Sequence, residues 1–188
     1  MSNIASKACP ICGSQNPSDI GIPFYAYFKC DCCSHVFALF NEKGSQTYAS
    51  RFWKKEKTET DGHPLIPLAQ EILLSGKNIL SIKSPLEKIT TFHRKYDTIV
   101  FQNYIEFCYC PYYEVINALK TLDNNGTLLL QIRTHNNPKE TFLGRTHEFC
   151  ENSVQIFANE CDSTSQTLHE DKVSLIRIRR QATLVGKS

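Results

Sequence analysis

The residues of this sequence best suited to chemistry are its cysteines, which number nine in 188 residues. Two pairs have the spacing Cys-x-x-Cys, Cys9 with Cys12 and Cys30 with Cys33, and seventeen residues separate the pairs. Each pair places two thiolates on one turn, and two such pairs complete a tetrahedral set of sulfur ligands. The spacing therefore predicts one structural zinc ion, which would let about forty residues with little core stay folded.

Two neighbouring side chains can replace Cys33 as the fourth ligand. Cys32 would form a Cys-x-Cys pair, which is a less usual spacing, and His35 offers an imidazole nitrogen. We expect Cys33 to be the fourth ligand, and Cys32 and His35 stay open as alternatives. A redox Cys-x-x-Cys motif fits less well, because it needs a βαβ context that this part of the sequence does not have.

Composition and charge are typical of a globular protein. Apolar residues make up 41% and charged residues 21%, and the formal net charge is +2. The aromatic residues of segment 13–29 have no clustered lysine or arginine around them, so we expect no nucleic-acid binding. No apolar signal core precedes the first cysteines, and no apolar run is long enough to cross a bilayer. We therefore expect a cytoplasmic protein with reduced thiols and no membrane contact.

Strands that alternate with helices follow the cysteine-rich segment, which predicts a parallel sheet covered by helices. The predicted helices are 63–76, 84–95, 111–123 and 151–161. The predicted strands are 78–82, 97–101 and 127–132, with a turn at Asn124–Gly126 and a final antiparallel hairpin. The expected domains are a ribbon over 1–42, a linker over 43–63 and an α/β domain over 64–182.

Residues 96–132 resemble the later half of class I S-adenosylmethionine-dependent methyltransferases. The shared order is Tyr-Asp before a strand, an Ile-Glu step at Glu106, a helix, an Asn-Gly turn and an aliphatic strand. The segments 33–37 (CSHVF) and 47–53 (TYASRFW) are similar to the subgroup in which a zinc ribbon precedes that domain. The resemblance implies a Rossmann-like sheet behind the ribbon.

The half of the family's domain that binds the cofactor is missing here. The resemblance implies a glycine-rich loop after the first strand, but Lys83-Ser84-Pro85 follows the strand at 78–82. Residues 83–95 suffice for a single crossover of roughly 10–12 residues, whereas the family has three crossovers and two strands there. The fold class is therefore α/β, with a small zinc ribbon and a truncated Rossmann-like methyltransferase sheet of about five strands. We expect no S-adenosylmethionine binding.

The resemblance also indicates two candidate cofactor-binding residues. Asn103 follows a predicted strand where the family often carries a residue near the cofactor or substrate, and Glu106 lies in the Ile-Glu step. The family's next residue is histidine, and here it is Phe107, which removes a group able to transfer a proton.

Other reactive side chains carry no assigned role. The pairs Cys108 with Cys110 and His147 with Cys150 would need a mutual geometry that the sequence does not contain, so we name no catalytic residue. The basic residues near the end of the chain are expected on a solvated strand face. They are Arg177, Arg179 and Arg180.

The loss of the strands beside the first one leaves Asn78–Ile82 as an apolar sheet edge, which a partner protein or a second copy can extend. We predict a zinc-binding methyltransferase-like protein that is not an enzyme and acts as a protein-binding or assembly component. Two alternatives stay open. They are an active methyltransferase with a minimal or partner-completed site, and a zinc-ribbon nucleic-acid binder, which would show salt-sensitive binding.

Overall fold

The computed structural model describes residues 8–21, 26–39, 65–83, 95–135, 145–162, 165–170 and 172–180. The linker expected over 43–63 and nearly all of the helix predicted over 84–95 lie outside these ranges. Within them, no helix has the length and apolar character needed to cross a membrane.

A small antiparallel sheet carries the cysteine loops. Its strands are β1 (Ser18–Asp19), β2 (Tyr27–Lys29), β3 (Val36–Ala38) and β7 (His147–Glu148). The first three follow one another along the chain, but β7 comes from the α/β part and pairs antiparallel with β3. The ribbon therefore shares a sheet with the rest of the chain.

The larger sheet confirms the predicted fold class, with five strands and mixed direction. Its strands are β4 (Ile79–Ile82), β5 (Tyr96–Gln102), β6 (Leu122–Arg133), β8 (Gln166–Glu170) and β9 (Val173–Arg179), in the spatial order β4-β5-β6-β9-β8. The first three are parallel, and β8 with β9 forms the predicted antiparallel hairpin beside β6. In the part of the chain that the structure describes, β4 has β5 as its single neighbour and lies at the edge.

In the described ranges, three α-helices pack on this sheet. They are α1 (Pro67–Ser75), α2 (Pro111–Thr121) and α3 (Glu151–Cys161), and a 3₁₀ helix covers Ile105–Phe107. Proline begins α1 and α2, where its missing N–H costs no hydrogen bond. Gly76 ends α1 as expected, and α3 has the predicted bounds.

The turn predicted at Asn124–Gly126 is wrong, and the helix predicted over 111–123 ends at Thr121. Residues 124–126 lie inside β6, which begins directly after α2. Tyr96 pairs with Leu122 but Thr98 pairs with Thr127, so β6 has extra residues that bulge from the ladder. Asn125 has φ 68°, a left-handed conformation that asparagine tolerates better than most residues. The Asn-Gly pair thus shapes a bulge here and not the end of a strand.

The two faces of the sheet have separate apolar layers. Ala69 of α1 packs against Val100, Leu129 and Leu175 on one face. The other face belongs to a larger core with α2 and α3. That core also contains buried side chains of the ribbon, namely Cys9, Ile11, Phe28, Cys30, Cys33 and Phe37. Since the ribbon and the sheet share one core, each part buries apolar surface of the other.

Candidate metal centre

The four cysteines of the predicted zinc site lie together. The sulfur atoms of Cys9, Cys12, Cys30 and Cys33 are within 4.8 Å of one another. Sγ–Sγ distances are 3.7 Å between Cys9 and Cys33 and 3.5 Å between Cys12 and Cys30. Cys12 is half-buried and the other three are at most 2% exposed. Four cysteines in this arrangement can bind a metal ion such as zinc.

Both cysteine loops have the same backbone geometry. The N–H of Gly13 donates to the carbonyl of Cys9, and the N–H of Ser34 donates to that of Cys30, each at 2.9 Å. Gly13 (φ 72°) and Ser34 (φ 59°) are both left-handed, so each loop folds back after its second cysteine. The Ile11 N–H also donates to Cys9 Sγ at 3.4 Å, which favours a thiolate there.

Proton affinities in the cluster fit a cation. The hydrogen bond with Cys33 lowers the pKa of Cys9 to about 5, and the same bond together with burial raises the pKa of Cys33. Burial also raises the pKa of Cys12. Without an ion, Cys33 and Cys12 therefore keep their protons beside the Cys9 thiolate, since neighbouring thiolates repel one another. A bound metal cation replaces those protons, and a set of four sulfur donors suits zinc.

The two alternative fourth ligands lie apart from this cluster. Cys32 is exposed, and its Sγ is 3.5 Å from Ser14 Oγ. His35 is fully buried, and its Nε2 is 3.0 Å from Nδ1 of His147. The structure thus brings together the four predicted cysteines and neither substitute, while ligation itself stays a prediction.

A buried histidine pair beside the cluster was missed by the sequence analysis. His35 directly precedes β3 and Phe149 directly follows β7, and these strands pair Phe37 with His147. The ring centroid of His35 lies 4.6 Å from that of Phe149 and 5.3 Å from that of His147. Burial lowers the pKa of His147 to about 4 and that of His35 well below its usual range. Both rings are neutral at pH 7, and the repeated His-x-Phe pattern was the available signal.

A buried ion pair lies next to the histidines. Arg145 Nη1 is 3.5 Å from Glu148 Oε2, and both side chains are at most 3% exposed. The Arg145 guanidinium also lies 5.9 Å from the ring centre of Phe107, within cation–π distance. The carbonyl of Arg145 accepts a 2.7 Å hydrogen bond from the hydroxyl of Tyr27 in the ribbon. Residues 145–149 thus form a largely polar segment between the ribbon and the large sheet, which we call the seam.

The candidate cofactor residues Asn103 and Glu106 follow the carboxyl end of β5, and both make hydrogen bonds to neighbouring protein groups. The backbone N–H of Asn103 donates to the Gln131 carbonyl at 2.9 Å, whereas its buried side-chain Oδ1 has no hydrogen-bond partner among the described residues. Glu106 is fully buried, and its Oε1 accepts from the Arg133 N–H at 2.7 Å. The Glu106 carbonyl accepts from both the N–H and the hydroxyl of Thr146. These contacts tie β6 and the segment before β7 to the 3₁₀ helix.

The residues of the pairs Cys108 with Cys110 and His147 with Cys150 lie in different surroundings. Burial raises the pKa of Cys108 well above its usual range, and its Sγ–H donates to the Tyr104 carbonyl at 3.3 Å. Cys110 is exposed and precedes α2 without a side-chain capping bond. His147 pairs with His35, whereas Cys150 donates to the Cys33 carbonyl at 3.3 Å.

Part of this chain is similar to a solved structure. No protein-family model matches the chain, and no curated protein does. Among solved structures, an O-methyltransferase family protein from Burkholderia thailandensis is similar, with 12% identity and a TM-score of 0.38. The match covers 49% of this chain and 32% of that chain.

Proposed function

We propose that this chain is a zinc-stabilised, methyltransferase-like protein that has lost cofactor binding and serves as a binding or assembly component. The observation that carries the proposal is the buried position of Glu106, whose side chain and carbonyl bind Arg133 and Thr146. One carboxylate oxygen accepts from the Arg133 N–H and the side chain is fully buried, which supports a bracing role for Glu106 within the protein.

The four-sulfur cluster supports zinc as the resident ion. Four cysteine thiolates fill a tetrahedral coordination sphere, so a structural role follows and an open catalytic position does not. Zinc bound there supplies folding free energy by holding the loops at Cys9–Cys12 and Cys30–Cys33 together.

The loss of the S-adenosylmethionine pocket rests on the edge position of β4. In the family that the sequence resembles, further strands lie beside the first strand and hold the ribose. Here β4 is followed at once by Lys83 and pairs with β5, the counterpart of the family's fourth strand. Residues 83–95 are too few for the missing strands and their crossovers, each of which needs at least roughly 10 residues.

Calorimetry with S-adenosylmethionine tests the proposal directly. We expect no binding heat at millimolar cofactor and one zinc per chain by elemental analysis of the same sample. Micromolar cofactor binding would support an active methyltransferase, whose site a partner completes, and would overturn the proposal. The zinc measurement shows that the tested protein is folded and loaded.

The exposed edge strand supports a protein partner or a second copy at Asn78–Ile82. Ile79 is 37% exposed, and the outer side of β4 has no strand beside it among the described residues. An edge strand offers a row of backbone donors and acceptors that another strand can pair with. The proposed binding role therefore has a defined location at β4.

A further inference from the structure

Each of the two cysteine loops accepts a hydrogen bond from a side chain of the α/β part. In the first loop, the carbonyl of Ile11 accepts a 2.8 Å hydrogen bond from the hydroxyl of Tyr112. In the second loop, the carbonyl of Cys33 accepts a 3.3 Å hydrogen bond from the thiol of Cys150. Ile11 lies between two of the clustered cysteines and Cys33 is one of them. Both hydrogen bonds therefore hold backbone segments that determine the positions of the cysteine sulfur atoms.

The two donors lie at the starts of two helices of the α/β part. Tyr112 lies in the first turn of α2, and its ring centre is 4.8 Å from that of Phe157 in α3. Burial raises the pKa of Tyr112, so its hydroxyl keeps the proton that it donates. Cys150 is the N-cap of α3, where a second bond joins its backbone N–H to Ser153 Oγ at 2.9 Å.

We infer that Tyr112 and Cys150 are positioning residues for the metal centre, which couple metal binding to the docking of the ribbon on the large sheet. The inference rests on the proposed zinc site and extends it to residues outside the ribbon. Groups that orient the ligands of a metal raise its affinity. Thermodynamic linkage then requires the ion to strengthen docking by the same factor.

Zinc affinity, measured by competition with a chromophoric chelator on the full chain, tests the inference. We expect Tyr112→Phe to weaken zinc binding about three- to tenfold, the value of one neutral hydrogen bond. Tyr113→Phe is the matched control, since Tyr113 is adjacent on α2 and 62% exposed, and should leave affinity unchanged. Equal affinities for Tyr112→Phe, Tyr113→Phe and the wild type would overturn the inference.

Cys150 provides an independent arm with a rescue. Cys150→Ala should weaken zinc binding, whereas Cys150→Ser keeps a donor and a helix cap and should restore most of the affinity. Cys110→Ala is the control, because Cys110 is also an N-cap but has no capping bond. Equal zinc affinity in Cys150→Ala and Cys150→Ser would contradict the role of the hydrogen bond.

Melting temperatures separate positioning from general stabilisation. A positioning role makes the temperature rise that zinc induces smaller in Tyr112→Phe and leaves the zinc-free protein little changed. A purely structural role lowers the melting temperatures of the zinc-bound and zinc-free proteins equally, and that result would overturn the inference.

Hydrogen exchange on the wild type needs no variant. Removal of the ion should speed exchange at the amide of Ala38, which donates to the Thr146 carbonyl between the ribbon and the seam. Unchanged protection of Ala38 would count against the coupling. A wild-type protein that binds no zinc would refute the proposed function itself.

Discussion

Cys32 and Cys33 are adjacent in sequence but differ in burial and contacts, and this difference predicts different effects of substitution. Cys33 is buried within the sulfur cluster, whereas Cys32 is exposed. Cys33→Ser should abolish stoichiometric zinc binding and lower the melting temperature of the protein, and Cys32→Ser should keep one zinc per chain. Elemental analysis of the purified variants measures this. Zinc retention in Cys33→Ser with loss in Cys32→Ser would assign the fourth ligand to Cys32.

The metal cluster was predictable at the residue scale because its information is local. Each Cys-x-x-Cys pair is one turn of backbone, so the spacing alone specifies two ligands. The histidine pair joins positions 112 residues apart, and nothing in either segment names its partner. Glu106 was expected near a cofactor because the family resemblance suggested that site. Its bond to the Arg133 N–H depends on a register between elements that the sequence does not state.

The burial of His147 predicts that the protein loses stability in mild acid. Its pKa falls from 6.5 to about 4 on folding, so below pH 6.5 the unfolded chain binds the proton more readily. The contribution is complete above pH 6.5 and is lost as the pH falls toward 4. Between pH 7 and pH 5 this group alone should cost about 2 kcal/mol of unfolding free energy.

Urea denaturation at pH 7 and pH 5, with zinc in excess, measures the acid effect. His147→Gln should lose less stability between the two pH values than the wild type does. His169, which is exposed on β8, offers the control variant His169→Gln. The wild type and His147→Gln would have the same pH dependence if His147 were already protonated in the native protein.

At the scale of elements, β4 and β8, which are the outer strands of the large sheet among the described residues, give a matched pair for testing association. Ile79 on β4 is 37% exposed and Leu168 on β8 is 43% exposed. If β4 is the proposed binding edge, Ile79→Lys should reduce self-association or partner capture at least tenfold, because a charge on an edge opposes strand pairing. Leu168→Lys should have little effect.

Sedimentation velocity over a range of concentrations measures self-association, and capture of a partner on the immobilised protein covers the other case. A protein that sediments as a monomer and captures no partner would contradict the proposed binding role. Equal loss in both lysine variants would indicate a general effect of charge and not a site at β4.

The helices and strands that the sequence predicted share one property, a strong local pattern. The bounds of α3 and the hairpin of β8 with β9 follow from periodicity and flanking polar residues. The bulge at Asn125 could not be predicted in this way, because Asn-Gly favours a left-handed backbone equally in a turn and in a bulge. The strand β7 has two residues and owes its existence to pairing with β3, so no local signal marks it.

At the scale of the whole molecule, the boundary between ribbon and α/β part is a boundary of sequence and not of packing. Ile11 and Phe37 from the ribbon belong to the same core as Ile105, Phe149 and Phe157. Sequence reasoning placed the ribbon at 1–42 because cysteine spacing and strand–helix alternation are separate patterns. The shared core depends on side chains that meet only after both parts have folded.

This shared core predicts that removal of the metal destabilises the whole molecule in one step. With free zinc at about a thousand times its dissociation constant, the ion contributes about 4 kcal/mol, which corresponds to a melting temperature about 8–16 °C higher. Because the ribbon shares one buried core with Phe149 and Phe157, the large sheet should lose stability together with the ribbon. Far-ultraviolet circular dichroism should therefore record one transition, shifted down after chelation. Two transitions, with the later one unaffected by the chelator, would mean that the sheet is stable without the ribbon and that the metal serves the ribbon alone.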